Sequence, residues 1–111
     1  MSPMREPTFL ILTALAVGAL HGWAVIQEVA KLSGGRVLIP AGTLYAALER
    51  LTAEGLVEPD RAEIVDGRHR RYYRLTDCGA RALAADADRQ HRNAATAVER
   101  LRLRAAGAGA Q

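Results

Sequence analysis

The chain is poor in the residues that most often carry chemistry. Among 111 residues it has one cysteine, one tryptophan, one phenylalanine, three tyrosines and three histidines. A lone Cys78 excludes an intrachain disulfide and suits a reducing compartment. Lying near a helix start, it reads as a small packing residue, with a thiol sensor as the rarer alternative. His21, His69 and His91 fall on different elements, so no shared metal site is expected. No carboxylate pair or glycine-rich phosphate loop is present either, so neither an enzyme nor a cofactor is expected. Long apolar runs are also missing. The stretch Phe9 to Leu20 is interrupted by Thr13 and Gly18 and is too short to span a bilayer. Arg5 ahead of it gives a faint signal-peptide pattern, but Glu6-Pro7 oppose it, and the expected location is the cytoplasm without a membrane partner. Lysine is scarcest among the charges, since Lys31 alone interrupts a set of fifteen cations that are otherwise arginine.

What is present is organised around Pro40 to Gly55. On a helix, Leu44, Ala47, Leu48 and Leu51 make one apolar face. The opposite side carries Gly42, Thr43, Ala46, Arg50 and Ala53, with Tyr45 on its flank. That outer face is small rather than charged, so the helix can approach another surface closely. Pro40 suits a helix start and Gly55 a helix stop. The plain alternative is an ordinary surface helix with weak propensity.

The net charge of +3 names no partner by itself. Its placement says more, because Arg68, Arg70, Arg71 and Arg74 crowd into an acid-free stretch. That stretch returns from a predicted hairpin: Leu56-Val57 opens one strand, Val65-Asp66-Gly67 turns, and Arg68 to Leu75 comes back. With a three-residue loop, Val57 faces Leu75, Glu58 faces Arg74, and Arg61 faces Arg71. Facing arginines are unfavourable unless an anion lies between them. An Arg-His-Arg-Arg hairpin tip (Arg68, His69, Arg70, Arg71) therefore points to a polyanion, against the alternative of a solvated basic hairpin.

Before this unit, Thr8 caps a predicted helix running to Leu20, and His21-Gly22 breaks it. A second helix, Trp23 to Leu32, turns Trp23, Val25, Ile26, Val29, Ala30 and Leu32 inward. Trp23 reads as core or as the wall of a ligand pocket. Three short helices followed by a hairpin outline a helix-turn-helix with a wing. After it, Thr76 caps a long helix to Leu103. Ala80, Ala84, Ala87, His91, Ala94, Val98 and Leu101 repeat along it at alternating spacings of four and three, a narrow heptad seam that predicts pairing with a second copy. The tail Ala105 to Gln111 is expected to be disordered.

Several of these segments together resemble the PadR family of transcriptional regulators. They are Met4-Arg5-Glu6-Pro7-Thr8, Leu20-His21-Gly22-Trp23, Gly42-Thr43-Leu44-Tyr45-x-x-Leu48-x-x-Leu51, Gly55-Leu56-Val57 and Arg70-Arg71-Tyr72-Tyr73-x-Leu75-Thr76-x-x-Gly79. The likeness covers residues 4 to 85. It departs from the family's pattern at Trp23, where tyrosine is usual, and at Cys78, where nothing is fixed. The resemblance implies a mainly α chain with a small β-hairpin: a winged helix-turn-helix over residues 1–75, a dimerisation helix over 76–104 and a tail over 105–111. It also implies a homodimeric repressor on an inverted-repeat operator in double-stranded DNA, released in some members by a small planar or aromatic effector. Pro40, Gly42, Thr43 and Tyr45 match the start of the family's recognition helix, and Arg68 to Arg71 its wing. Read as chemistry, Thr43 suits base edges, Tyr45 a phosphate, and Arg50 guanine or backbone. A reading from another class is a winged-helix module whose bare face docks on a protein, and salt-insensitive binding would mark it.

Overall fold

The computed structural model describes residues 3–109. Helix α1 (Glu6–Leu15) leads to a two-residue strand, β1 (Leu20–His21), and then to α2 (Gly22–Leu32) and α3 (Ala41–Ala53). Strands β2 (Val57–Val65) and β3 (Arg68–Leu75) form the hairpin, and α4 (Asp77–Gly109) closes the chain. The three strands make one antiparallel sheet in the order β1-β3-β2.

Three amphipathic helices and one sheet face meet in a single core. Ile11, Leu12 and Leu15 of α1, Val25 and Val29 of α2, Leu44, Leu48 and Leu51 of α3, and Val57 of β2 are all fully buried. The predicted inner face of α3 is thus the buried one, with Ala47 packed against its margin. Gly55 follows the last turn with φ 77°, the left-handed conformation that a residue without a Cβ adopts at little cost. Leu56 N–H then bonds back to the Leu51 carbonyl at 3.0 Å, which turns the chain into β2.

The first helix differs from the expected span. It starts at Glu6, with Pro7 in its first turn and the acid near the positive end of the helix dipole. Thr8 is not its cap; Arg5 holds that position without a side-chain bond. The helix also stops at Leu15 rather than Leu20, because Leu20 and His21 are drawn into the sheet opposite Tyr73 and Tyr72. His21 is an N-cap as well as a strand residue: its Nδ1 accepts from Ala24 N–H at 3.3 Å.

The hairpin turn is corrected too. Asp66 and Gly67 alone form it, with φ of 51° and 75°, the mirror-image two-residue turn whose twist suits paired strands. Val65 faces Arg68, and an irregularity between Pro59 and Ala62 absorbs one extra residue. Proline cannot donate to the ladder, so a bulge beside Pro59 is in keeping. Loop and bulge offset one another. Val57 still faces Leu75 and Glu58 still faces Arg74, but Ala62, not Arg61, stands opposite Arg71. No two arginines face each other across the paired strands, so the register by itself calls for no anion.

Thr76 caps α4 as expected, its Oγ1 accepting from Gly79 N–H at 2.9 Å. The helix runs on to Gly109, so the expected disorder from Ala105 is corrected over 105–109. Ala105, Ala106 and Ala108 favour helix strongly and no proline stops it; Ala110 and Gln111 lie outside the described residues. Among the described residues no helix is long and apolar enough to cross a membrane.

Candidate nucleic-acid interface

The start of α3 stands open. Gly42, Thr43 and Ala46 are exposed, and a Cβ placed on Gly42 would meet nothing within 4 Å. Pro40 is the N-cap, with φ −62° and ψ 149°, and contributes no side-chain bond to the first turn. The helix therefore begins with small residues and uncapped amide groups, as the outer face predicted. Tyr45 is half exposed. Its ring lies over the start of α2, so close that a Cβ on Gly22 would sit 2.5 Å from the phenol oxygen. Gly22 thus admits Tyr45, and the two helices interlock there. Sequence reasoning saw a break at Gly22 and missed the contact; a glycine opening a helix beside a tyrosine-bearing one was the available signal.

Arg50 is placed differently from the other candidates. It reaches away from the opening of α3, donating to Thr8 Oγ1 at 3.0 Å and pairing with Glu54 at 3.3 Å. It lines a cleft of about 770 Å³ between the N-terminal arm, α1, the end of α3 and the start of α4, together with Arg5, Cys78 and Arg81. Cys78 is exposed there rather than packed away. Trp23 is neither core nor part of this cleft, since 61% of it faces solvent.

On the hairpin the arginines fall into two sets. Arg74 pairs with Glu58 at 2.6 Å, and Arg61 pairs with Glu63 at 3.0 Å and with Asp60 at 3.2 Å. Arg61 also lies 4.0 Å over the Tyr72 ring, a favourable cation–π distance. Arg68, His69, Arg70 and Arg71 are exposed, and none of these three arginines forms an ion pair among the described residues. Every acid of the strands is spoken for. Arg61, donating to its carboxylate, holds Glu63 below the usual range, helped by the Tyr72 hydroxyl. Behind them His21 meets Tyr72 edge-on at 5.4 Å. Burial lowers the pKa of His21, and the nearby Arg70 charge lowers it further against the opposing pull of Glu63. This cluster of His21, Arg61, Glu63 and Tyr72 was not legible in sequence, because the bulge sets its register.

The seam of α4 lies where a second copy could reach it. Ala80, Ala84, His91, Ala94, Val98 and Leu101 are exposed and Ala87 is half-buried. The face of α4 turned to the core is a neighbouring one, made by Gly79, Ala82 and Asp86. No group of three or more His, Cys, Asp or Glu residues that could hold a metal occurs among the described residues.

A three-helix core, a three-stranded sheet and a projecting basic hairpin define a winged helix-turn-helix. The sequence profile of the transcriptional regulator PadR-like family matches residues 11–85. The chain is 43% identical over 76 residues to the transcriptional regulator Rv3488 of Mycobacterium tuberculosis, covering 68% of this chain and 67% of that one. Among solved structures, Bacillus subtilis PadR in complex with operator DNA is similar with a TM-score of 0.65 and 27% identity, over 73% of this chain and 46% of that one. A PadR family transcription regulator from Clostridium difficile R20291 gives a TM-score of 0.68 at 24% identity, over 87% and 99%. The chain belongs to the PadR-like family of transcriptional regulators, which are regulators and not enzymes. It spans less than half the length of the Bacillus protein.

Proposed function

We propose that this regulator acts in the cytoplasm as a homodimeric repressor that binds an inverted-repeat operator in double-stranded DNA. The observation that carries the reading is the sorting of charge on the hairpin. Arg61 and Arg74 are neutralised within the sheet, whereas Arg68, Arg70 and Arg71 are exposed and form no ion pair among the described residues. Thr43 then reads base edges in the major groove, Tyr45 bonds a phosphate, and the free arginines hold the flanking backbone. Arg50, engaged with Thr8 and Glu54, is left out of the contact set. That a similar protein, Bacillus subtilis PadR, was crystallised with operator DNA supports the same partner class here. The second copy is seated on the seam of α4, where Val98 and Leu101 are 66% and 63% exposed in one subunit. An effector pocket walled by Trp23 gains no support from so exposed a side chain.

Three free arginines on each of two wings would neutralise about 6 phosphates, so the logarithm of the binding constant should fall with log salt at a slope of about −5. A shift assay on the DNA upstream of its own gene tests the reading. Arg70→Ala should weaken all DNA alike, and Thr43→Ala should mainly relax sequence preference. Leu101→Asp should convert a dimer to monomer in sedimentation and lower DNA affinity at least about tenfold, the effect of losing one of two linked half-sites. A wild-type monomer with no DNA binding in dilute buffer would end it.

A further inference from the structure

The far end of the wing has two strands where its base has three, and one short stretch lies at the change. β1 pairs with β3 at two places, Leu20 with Tyr73 and His21 with Tyr72. Beyond them Arg68, His69, Arg70 and Arg71 pair with β2 alone. A two-stranded ribbon twists more than a wider sheet and is marginal by itself, so its direction is set where the third strand ends. That place is His21. Its imidazole meets the Tyr72 ring edge-on at 5.4 Å. The Arg61 guanidinium lies 4.0 Å over the same tyrosine ring. The Tyr72 hydroxyl donates to Glu63 at 3.2 Å, and Glu63 accepts from Arg61 at 3.0 Å. Tyr72 thus ties both wing strands to the His21 ring. The pKa of His21, lowered mainly by burial, is also moved by Arg70 and Glu63, one from each of those strands.

The same stretch holds the two helices. His21 Nδ1 accepts from Ala24 N–H at 3.3 Å and so caps α2. The next residue, Gly22, lies so close to α3 that a Cβ on it would sit 2.5 Å from the Tyr45 phenol oxygen. Consecutive residues therefore touch the sheet, α2 and α3. We propose that His21 is a positioning residue for DNA binding: its ring, seated on Tyr72, sets the angle of the wing against α3. The arginines of the tip and the opening of α3 then reach one duplex together. This rests on the DNA-binding reading above and adds what aligns its two contact elements. Four residues at strand spacing carry the tip about 14 Å past the last β1 pair, so an error of about 10° at the base moves the end by roughly 2 Å. A hydrogen bond to a phosphate does not tolerate a displacement of that size.

A residue that only stabilised the fold would change the fraction of protein able to bind and leave ion release unchanged. One that aligns the wing changes the number of phosphates reached, and with it the salt slope. The test uses the full chain and two fluorescent duplexes, one copied from the DNA upstream of its own gene and one with that sequence shuffled. Anisotropy is read over a range of salt, well below each variant's melting temperature as found by circular dichroism. The wild type should give a slope of about −5. His21→Ala and Tyr72→Leu should each make it shallower by about 2, the release lost with one phosphate contact on each wing. The double variant should be no shallower than either, and preference for the upstream duplex should persist in all three. His21→Asn, which can still cap α2, should behave as His21→Ala. His21→Phe, which keeps a ring edge for Tyr72 but no cap, should hold the wild-type slope. Wild-type slopes in both His21→Ala and His21→Asn would make His21 structural only and overturn the proposal. A wild-type slope in His21→Asn together with a shallow one in His21→Phe would assign the work to the cap and overturn the ring contact. A wild-type protein that binds neither duplex overturns the DNA-binding reading itself.

Discussion

The two halves of α4 are written in much the same residues, alanine and arginine with scattered acids, yet they meet opposite surroundings. In the first half Gly79, Ala82 and Asp86 are buried and Leu83 packs against the core. From His91 to Gly109 every residue is exposed. Alanine content does not separate the halves; what folds back against them does. The first half is seated at three places. Thr76 caps it, Gly79 lies against the Leu56 carbonyl, and Asp86 accepts from the Met4 backbone N–H at 3.3 Å and from Gln90 at 2.8 Å. The second half has ion pairs along its own surface, such as Arg102 with Glu99 at 2.7 Å, and these stabilise a helix only slightly. Val98, Leu101 and Leu103 are large apolar side chains left exposed on its surface.

The same substitution should have opposite effects in the two halves, and this is the largest difference expected. A Cβ at Gly79 would collide with the Leu56 carbonyl oxygen and come within 2.8 Å of Leu75 Cδ1. Backbone cannot swing aside as a side-chain tip can, so Gly79→Ala should cost about 3 kcal/mol or more. At Gly107 nothing lies within 4 Å, and Gly107→Ala should be neutral or stabilising, by up to about 1 kcal/mol. Urea unfolding of both variants measures the contrast. Equal mild effects would mean that α4 is not seated on the sheet at Gly79.

Asp86 gives a smaller and pH-dependent version of the same comparison. Burial pushes its carboxyl up, but hydrogen bonds from Gln90, the Met4 amide and Arg89 outweigh that and leave it below its ordinary 3.8. A lowered folded-state value means the stabilisation is present above the ordinary range and is lost as pH falls through the lowered value. Asp86→Asn keeps the shape but turns an N–H₂ toward donors, which should cost about 1–3 kcal/mol. It should also flatten the acid limb of a stability-against-pH curve. An unchanged limb would show that the arm is not held by this carboxylate.

How much of this was legible beforehand follows from the range of the interactions. Periodicity displayed the inner face of α3 because Leu44, Leu48 and Leu51 are neighbours on one helix, and Thr76 announced the start of α4 by local chemistry. The open start of α3 and the cluster Arg68 to Arg71 were legible for the same reason. What was hidden depends on distant partners. Leu20-His21 read as a helix end because a two-residue strand has no pattern of its own; only Tyr72 and Tyr73 make it one. Arg50 stands between these cases: its pair with Glu54 is a local i,i+4 contact, but its bond to Thr8 exists only in the fold. Arg61 was misplaced by one residue, since a bulge and a shorter turn cancel at the base of the hairpin and differ only in between.

The smallest effect concerns two of the three histidines, His21 at the start of α2 and His91 on the open half of α4. His21 accepts from Ala24 N–H through Nδ1, so it caps α2 only when that nitrogen carries no proton. Its pKa lies below the ordinary 6.5, first because burial disfavours the charge and next because Arg70 does. As pH falls below 6.5 the unfolded chain therefore takes up the proton first. Stability should decline from there to the folded-state value and change no further below it. The site is partly open, so solvent screening keeps the effect to a modest fall in melting temperature. His21→Asn retains a capping acceptor without a titrating group and should flatten that fall. His91→Asn, an exposed change on the open half of α4, is the control and should leave it in place. If His21→Asn leaves the fall unchanged and His91→Asn removes it, the sensitive histidine sits on the seam, and the second half of α4 is the better-packed one in solution.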